Sequence, residues 1–389
     1  MRVALVVLLL VGCGRHGFEE RPDARDQDDA VIDPGIVQLS LRGSAVCVRT
    51  GDGRVACWGR NDRGQIGNGT RTFAEATPHI VAVNNIVTIA TGEYTGFAID
   101  RDGTLWAWGD NEFGQLGLGT AGGDSPSPLA IPVPEPVVTV AGGQYHTCAV
   151  TAGAGELYCW GDNACGQLGT GDMVASPSPR KVPGVSGVET VTVNDSQTCF
   201  TDTANNLKCM GGAYVTAESV CENVRLAPVA PIGLPVAIDV AGGCHMSMCG
   251  IDPAGDAWCW GDNVAGVLGD GAATARLEPS RVSVVSNMSM VRTGYTTSCG
   301  ATAIDDVFCW GDNTRGQLGI DNMALSLSTT PLQVPFFNGQ PIDEIETGCS
   351  NTCARSGHDV YCWGDNAEWV IDATTVNAYR PVQRLGLPF

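Results

Sequence analysis

The chain has 389 residues, of which 43% are hydrophobic and 16% are charged, and its formal net charge is −20 at pH 7. Such a charge repels phosphate backbones, so we expect no nucleic-acid partner. Seventeen cysteines are too many for a reduced cytosolic chain of this size without metal sites, so the composition favours an oxidising compartment.

The N-terminus has the form of a secretory signal. A positive start precedes an apolar run from Val3 to Val11, which is short beside the roughly 20 residues of a membrane span. The run ends in Leu10-Val11-Gly12-Cys13, which resembles the bacterial lipobox, where the signal is cut before a cysteine that receives lipid. We predict a lipoprotein signal peptide at residues 1–12 and lipidation of Cys13. The alternative is an ordinary cleavage site beside one more thiol.

The residues after Cys13 are polar and mostly acidic, with too little apolar surface to fold alone. We predict that residues 13–35 form a flexible tether. In the lipobox resemblance, Gly14 rather than Asp after the cysteine permits transport to the outer membrane, on its periplasmic or its surface side. The lipid on Cys13 is then the only attachment to a membrane that we expect.

One string recurs about every fifty residues. It reads Cys57-Trp58-Gly59-Arg60-Asn61 in its first copy, and a degenerate copy reads Cys209-Met210-Gly211-Gly212. Five further copies begin with Trp-Gly-Asp-Asn, at Trp108, Trp160, Trp260, Trp310 and Trp363. The sequence therefore contains seven units, and a repeat of this length indicates a propeller or a solenoid.

Each unit has the same internal order. A β-rich stretch leads to a glycine, as in Ala141-Gly142-Gly143-Gln144-Tyr145-His146, and a hairpin with an Asp-Gly type of turn follows. The second hairpin strand ends in Trp-Gly, and Gly114-Gln115-Leu116-Gly117 or an equivalent comes next. The last unit lacks its final β-rich stretch, and Ile36 to Ser40 supplies it. We predict an all-β, seven-bladed β-propeller over residues 36–389, closed by pairing of its N- and C-terminal segments.

These motifs resemble the regulator of chromosome condensation repeat family, over about residues 36 to 389. The resemblance implies a seven-bladed propeller. Unit four departs from the pattern because Met210 replaces the tryptophan, and unit seven has Glu368-Trp369-Val370 where Gly-Gln-Leu-Gly is expected. We expect unusual outer loops in both blades. The family's namesake binds chromatin and acts on a small GTPase. We expect an exported acidic chain to encounter neither partner, so that activity is not carried over.

Most cysteines fall at positions symmetric about the hairpin turn, where opposed strands bring two residues within disulfide range. The second unit has Phe97 and Ala107 at these positions, so both cysteines are missing together. We predict six hairpin disulfides, between Cys47 and Cys57, Cys148 and Cys159, Cys199 and Cys209, Cys249 and Cys259, Cys299 and Cys309, and Cys353 and Cys362. Buried free thiols are the alternative.

Four cysteines remain besides Cys13. Cys165 and Cys221 lie in equivalent loops of neighbouring units, and we predict that they form a disulfide. Cys244 and Cys349 occupy related positions before the hairpins of units five and seven, and we predict a disulfide near the central channel. A zinc site is the alternative, although the sequence has no Cys-x-x-Cys spacing.

The sequence contains no nucleophile elbow, zinc-protease helix or phosphate loop. His146 and His245 are interpreted as structural, and the recurring Asp-Asn as a turn rather than a calcium ligand. We therefore predict neither catalytic residues, nor a cofactor, nor a metal site.

The leading hypothesis is a monomeric, non-catalytic scaffold that binds an envelope or extracellular protein, because propeller loops usually carry binding. Three alternatives remain open. A module that binds carbohydrate or envelope polymer would show exposed aromatic side chains on one face. A lyase or hydrolase would need two carboxylates with a tyrosine or histidine in a central cleft. The third alternative is a purely structural surface protein.

Overall fold

The computed structural model describes residues 35–214, 221–368, 370–371, 377–384 and 387–388. The predicted signal peptide, Cys13 and all but the last residue of the predicted tether lie outside these ranges. Residues Asp33–Phe389 belong to one compact unit. Within the described ranges, no helix has the length and apolar character needed to cross a membrane.

The described residues form seven four-stranded antiparallel sheets, each made of four consecutive strands. Blades one to three contain β1 (Ile36–Arg42), β2 (Ala45–Thr50), β3 (Val55–Arg60) and β4 (Ala74–Ile80); β5 (Ile86–Thr91), β6 (Thr95–Asp100), β7 (Leu105–Gly109) and β8 (Ser125–Ala130); and β9 (Val137–Gly142), β10 (His146–Thr151), β11 (Leu157–Gly161) and β12 (Ser176–Lys181). Blades four and five contain β13 (Val188–Val193), β14 (Gln197–Asp202), β15 (Leu207–Tyr214) and β16 (Cys221–Val229); and β17 (Asp239–Gly242), β18 (Ser247–Ile251), β19 (Ala257–Gly261) and β20 (Arg276–Arg281). Blades six and seven contain β21 (Met288–Thr293), β22 (Thr297–Thr302), β23 (Val307–Asp312) and β24 (Leu327–Gln333); and β25 (Glu344–Thr347), β26 (Asn351–Ser356), β27 (Asp359–Asp365) and β28 (Asn377–Gln383). Two short 3-10 turns lie at Val264–Gly266 and Pro335–Phe337.

The blades form a closed ring around a central channel. The first strand of each blade contacts the first strand of the next, and β25 of the last blade contacts β1 of the first. The hydrophobic side chains are buried in clusters between neighbouring blades, because each sheet covers one face of the next. The predicted seven-bladed propeller is therefore confirmed.

Closure of the ring differs from the prediction in one respect. The terminal segments do not pair as strands, because β1 belongs to the sheet of blade one and β28 to that of blade seven. They meet through packing and side chains: the His358 ring nitrogen Nδ1 lies 3.1 Å from the Ile36 carbonyl oxygen, and the Arg384 guanidinium donates to the Ala76 carbonyl oxygen. The first and last strands belong to different blades, so each sheet is complete without a strand from the other end of the chain.

The repeated tryptophan joins neighbouring blades. The Trp108 indole is fully buried and donates a hydrogen bond of 2.8 Å to the Gln65 carbonyl oxygen of the preceding blade. Trp58 makes the same bond to Val370, so the last blade is linked to the first in the same way. In blade four Met210 takes the place of this tryptophan and is also fully buried.

The repeated asparagine stabilises the loop that follows each tryptophan. The Asn111 carboxamide oxygen accepts the Leu116 backbone N–H at 3.1 Å, and its NH2 group donates to the Thr120 and Gly122 carbonyls. Asn163 and Asn313 make equivalent bonds. The side chain therefore hydrogen-bonds to backbone groups of its own loop, as the turn interpretation predicts. Over the described residues, no three His, Cys, Asp or Glu side chains are grouped so as to hold a metal ion.

The hairpin cysteines face each other across the two middle strands of six blades. Cys47 is opposite Cys57 in the register of β2 and β3, with a Cα–Cα distance of 4.2 Å. The other hairpin disulfides join Cys148 to Cys159, Cys199 to Cys209, Cys249 to Cys259, Cys299 to Cys309 and Cys353 to Cys362. A seventh disulfide joins Cys165 to Cys221 between blades three and four. Blade two has the pair Phe97 and Ala107 at the same register.

Blade four differs from its neighbours where the sequence departs from the repeat. Its third and fourth strands, β15 and β16, are longer than those of the other blades and pair from Cys209 with Val229 to Tyr214 with Cys221. In blade seven, most residues between Asn366 and Asn377 lie outside the described ranges.

Candidate functional site

One face of the propeller carries seven equivalent turns, each joining the first and second strands of a blade. We call them the channel turns: residues 43–44, 92–94, 143–145, 194–196, 243–246, 294–296 and 348–350. In six of them the backbone N–H of the first residue donates to a carbonyl at the start of the second strand, at 2.8–3.0 Å. We call this side of the ring the channel-turn face.

The first residue of a channel turn is Asn194 in blade four and glycine in the other six blades. The reason is close packing between consecutive turns. A Cβ atom on Gly143 would lie 2.8 Å from the Asn194 carbonyl oxygen of the next turn, and one on Gly243 would lie 2.6 Å from that of Gly294. The glycines therefore allow consecutive turns to pack closely around the channel mouth.

The second residue of every channel turn lines a single cavity of about 390 Å³. The seven side chains are all different in kind except for two cysteines: Ser44, Glu93, Gln144, Asp195, Cys244, Tyr295 and Cys349. One backbone position is thus repeated seven times, while its side chain changes. We call this cavity the central pocket.

Arg42 crosses the channel beneath the central pocket. It lies at the end of β1, and its guanidinium Nη2 donates to the Val193 carbonyl oxygen of blade four at 2.8 Å and to the Gly243 carbonyl oxygen of blade five. Only 9% of Arg42 is exposed, and its Nε has no hydrogen-bond partner. A buried cation therefore lies across the axis of the ring.

Four carboxyl groups line the central pocket, and two of them, Asp195 and Glu93, have no ion-pair partner within 4 Å among the described residues. Asp195 is only 5% exposed, and its Oδ1 has no hydrogen-bond partner; the buried Oε2 of Glu93 has none either. Burial raises the pKa of Asp195 to about 8, and the nearby Glu93 adds to the effect. Burial also raises the pKa of Glu93. Both groups therefore hold a proton more tightly than an exposed carboxyl does.

His245 lies beside Asp195 at the wall of the central pocket. Its Nδ1 is 3.3 Å from Asp262 Oδ2, and its ring meets Tyr295 edge-to-face with centroids 4.7 Å apart. Burial alone would lower the pKa of His245, but the neighbouring carboxyl groups of Asp262 and Asp195 raise it above the usual value. His146, by contrast, is fully buried, and burial lowers its pKa to about 3. His146 is thus structural, while His245 belongs to the pocket.

Arg60 and Glu368 form part of the opposite wall. Arg60 pairs with Asp62 at 2.8 Å and with Glu368 at 3.3 Å, and its guanidinium lies over the Tyr94 ring, 5.0 Å from the centroid. Burial raises the pKa of Tyr94, and the neighbouring Glu93 raises it further. The charge of Arg60 is therefore already matched by carboxylates.

Cys244 and Cys349 meet in the central pocket, but they are not bonded. Both are free cysteines, which corrects the predicted disulfide between them. The Gly43 backbone lies between the two turns: its N–H donates to Cys244 Sγ at 3.1 Å, and its carbonyl accepts the Cys349 N–H at 2.9 Å. No hairpin register opposes these residues. A hydrogen bond to Cys244, together with burial, raises the pKa of the Cys349 thiol.

Sequence reasoning did not single out Glu93, Asp195 or Arg42. The signal was present in the repeat, because Gln144 occupies the same place in the string that was used to define the units. Comparing that place across the units would have shown a constant glycine followed by a changing residue. A ring then brings all seven changing residues to one axis.

Models of the regulator of chromosome condensation (RCC1) repeat match residues 52–99, 102–150, 154–200 and 305–355, and a second model of the repeat matches residues 36–65, 86–115, 137–167 and 291–317. The chain is 28% identical over 375 residues to the mouse E3 ubiquitin-protein ligase HERC2, which covers 92% of this chain but only 8% of that protein.

The chain is also 28% identical over 356 residues to the ultraviolet-B receptor UVR8 of Arabidopsis thaliana, covering 87% of this chain and 79% of the receptor. Among solved structures, yeast RCC1 (Prp20) bound to Kap60 superposes with a TM-score of 0.72 at 18% identity, covering 95% of this chain and 91% of that one. The repeats, the blades and these matches agree: the chain belongs to the RCC1 repeat family.

Proposed function

We propose that this chain is an exported, lipid-anchored propeller that binds an envelope or extracellular protein through its channel-turn face. In this proposal residues 1–12 are a signal peptide, Cys13 carries the lipid, and residues 13–35 are a tether. Residues 36–389 are then a binding module at the bacterial outer membrane, acting as a monomer and without catalysis.

The observation that carries the binding role is the set of channel turns. Seven equivalent turns present side chains of six different kinds at one opening. Such an arrangement suits recognition, because a rigid ring fixes the positions while the side chains set the specificity. The yeast relative is a protein bound to another protein, which supports protein binding as the class of function.

Export is supported by the disulfides. Seven bonds join fourteen of the seventeen cysteines. Bonds of this number persist in oxidising compartments and are rare in the cytosol. The anchor is tested by mass spectrometry of the N-terminal peptide from membranes. We expect a lipidated Cys13 and loss of membrane association in Cys13→Ser; an unmodified Cys13 on membrane-bound protein would contradict the anchor.

Binding is tested with the oxidised propeller from Ile36 onward as bait for envelope and secreted proteins. We expect a stoichiometric partner that the double variant Glu93→Gln/Asp195→Asn no longer captures. The matched control is Asp102→Asn/Glu135→Gln, which makes the same two types of substitution at exposed positions on the opposite face. Equal capture by both variants would contradict binding through the channel-turn face.

An enzyme is the second candidate, because one observation favours it. Two of the four carboxyl groups that line the central pocket, Glu93 and Asp195, lie there with Tyr94 and His245, which is the kind of cluster that a lyase or hydrolase hypothesis requires. Polymer degradation by the wild-type propeller that Asp195→Asn abolishes would favour this candidate over a pure scaffold.

A further inference from the structure

Asp195 and Glu93 have acceptor atoms that nothing in the pocket satisfies. Asp195 Oδ1 and Glu93 Oε2 are buried without a hydrogen-bond partner, and neither residue has an ion-pair partner within 4 Å among the described residues. An unpaired buried acceptor is costly. Two such atoms facing one cavity indicate that a donor from outside completes the site.

Three of the other charged groups around the central pocket already have ion-pair partners. Arg60 pairs with Asp62 and Glu368, Arg315 with Asp365, and His245 with Asp262. Arg42 has no carboxylate partner within 4 Å among the described residues, but its Nη2 already donates to the Val193 and Gly243 carbonyls below the pocket. A ligand that supplies N–H donors and positive charge therefore meets the two carboxyl groups without displacing an existing ion pair.

The volume and the aromatic lining of the central pocket fit one small organic cation. The cavity of about 390 Å³ lies within the range of small-ligand pockets, roughly 300–1,000 Å³. Tyr94 and Tyr295 line its wall, and aromatic rings beside a cation add attraction. The net charge of −20 draws cations toward the molecule from a distance.

We propose that the central pocket binds a primary ammonium or guanidinium group, which donates hydrogen bonds to Asp195 and Glu93. This inference rests on the proposed function in naming the source of the group as a lysine or arginine side chain of the protein partner. A free amine of the same chemistry is the other source, and the experiment below separates the two.

Binding of the cation is coupled to protons. The groups that face Asp195 are Glu93, His245, Arg42 and Cys349. Burial keeps the Asp195 proton in place near neutral pH. Binding of a cation therefore converts the acid to its carboxylate, and one proton passes to the buffer. We expect the affinity to rise between pH 6 and pH 9, because fewer protons have to be released.

The test is isothermal titration calorimetry on the full-length oxidised protein. The probes are end-blocked Gly-Lys-Gly and Gly-Arg-Gly, butylamine as the free amine, and end-blocked Gly-norleucine-Gly as the neutral match for lysine. We expect one cationic probe per chain, no norleucine binding, and roughly tenfold or greater weakening in Asp195→Asn and in Glu93→Gln. Asp102→Asn and Glu135→Gln, on the opposite face, serve as matched controls and leave the affinity unchanged.

Each outcome decides the proposal. Peptide probes that bind far better than butylamine indicate a side chain as the source, and equal binding indicates a free amine; both support the cation site. Cation binding that survives both pocket variants, or that norleucine reproduces, overturns it. If near-ultraviolet circular dichroism shows that Asp195→Asn is not folded, the affinity of Glu93→Gln and the pH series on the wild type decide whether the cation site exists. Partner capture by the wild type without cation binding overturns this inference alone, whereas absence of any captured partner overturns the proposed function.

Discussion

The Trp58 indole in blade one donates a hydrogen bond of 2.8 Å to the carbonyl oxygen of Val370 in blade seven. An equivalent bond joins Trp108 to Gln65 in neighbouring blades of the continuous chain. The Trp58 bond instead joins the first blade to the last. Arg384, from the C-terminal segment, lies over the Trp58 ring at 5.4 Å from its centroid. The ring is thus closed by the same side chain that links its interior blades.

This equivalence predicts the effect of Trp58→Phe. The variant leaves the buried Val370 carbonyl without a donor, which costs about 1–3 kcal/mol of the free energy of unfolding. Trp108→Phe is the matched control, and we expect a similar loss. Urea unfolding followed by far-ultraviolet circular dichroism measures both. A stable Trp58→Phe beside a destabilised Trp108→Phe would show that the closing bond contributes nothing.

A glycine beside the next tryptophan gives a second prediction. Gly117 has φ +80°, and a Cβ atom on it would lie 2.8 Å from Trp160 Nε1. Gly122 has φ +82° but nothing within 4 Å of its Cβ position. Both alanine variants lose about 1–2 kcal/mol to the left-handed backbone, and Gly117→Ala loses a further ~1–3 kcal/mol to overpacking. Equal losses in the same unfolding assay would contradict the packing of Gly117 on Trp160.

The raised pKa of Asp195 predicts a pH-dependent stability. The folded state keeps the Asp195 proton up to about pH 8, whereas the unfolded chain releases it near pH 4. Between these values the folded state binds more protons, so the contribution of Asp195 to stability falls as the pH rises. We expect the melting temperature of Asp195→Asn, relative to the wild type, to increase from pH 4.5 to pH 8.5. A constant difference would contradict the burial of this carboxyl.

The free cysteines give a prediction about thiol content. Residues 36–389 contain sixteen cysteines, of which Cys244 and Cys349 are free. Denaturation without reductant, followed by alkylation and mass spectrometry, is expected to label two thiols per chain in this domain. The double variant Cys244→Ser/Cys349→Ser is expected to label none. A wild-type domain with no reactive thiol would restore the disulfide that the sequence analysis predicted.

The fold was predictable because its signals are local and repeated. Trp-Gly-Asp-Asn fixes a buried indole and a loop-stabilising asparagine within a few residues, and cysteines placed evenly about a turn face each other in any hairpin. Such features need no knowledge of distant parts of the chain. The spacing of about fifty residues then determined the number of blades.

The central pocket was harder to predict because it depends on residues far apart in the chain. Arg42 reaches Val193, which is 151 residues away, and no spacing rule indicates that its guanidinium crosses the channel. The cysteines at 244 and 349 were expected to bond because both precede a hairpin. Their relative position is set instead by the Gly43 turn between them, which belongs to a third blade.

Binding through the channel turns is the central feature of the proposed function. Amide hydrogen exchange of the propeller, with and without its captured partner, tests this binding surface directly. We predict slower exchange on binding at residues 92–94, 143–145 and 194–196. Protection at the opposite turns, residues 101–103 and 152–155, with the channel turns unchanged, would contradict it.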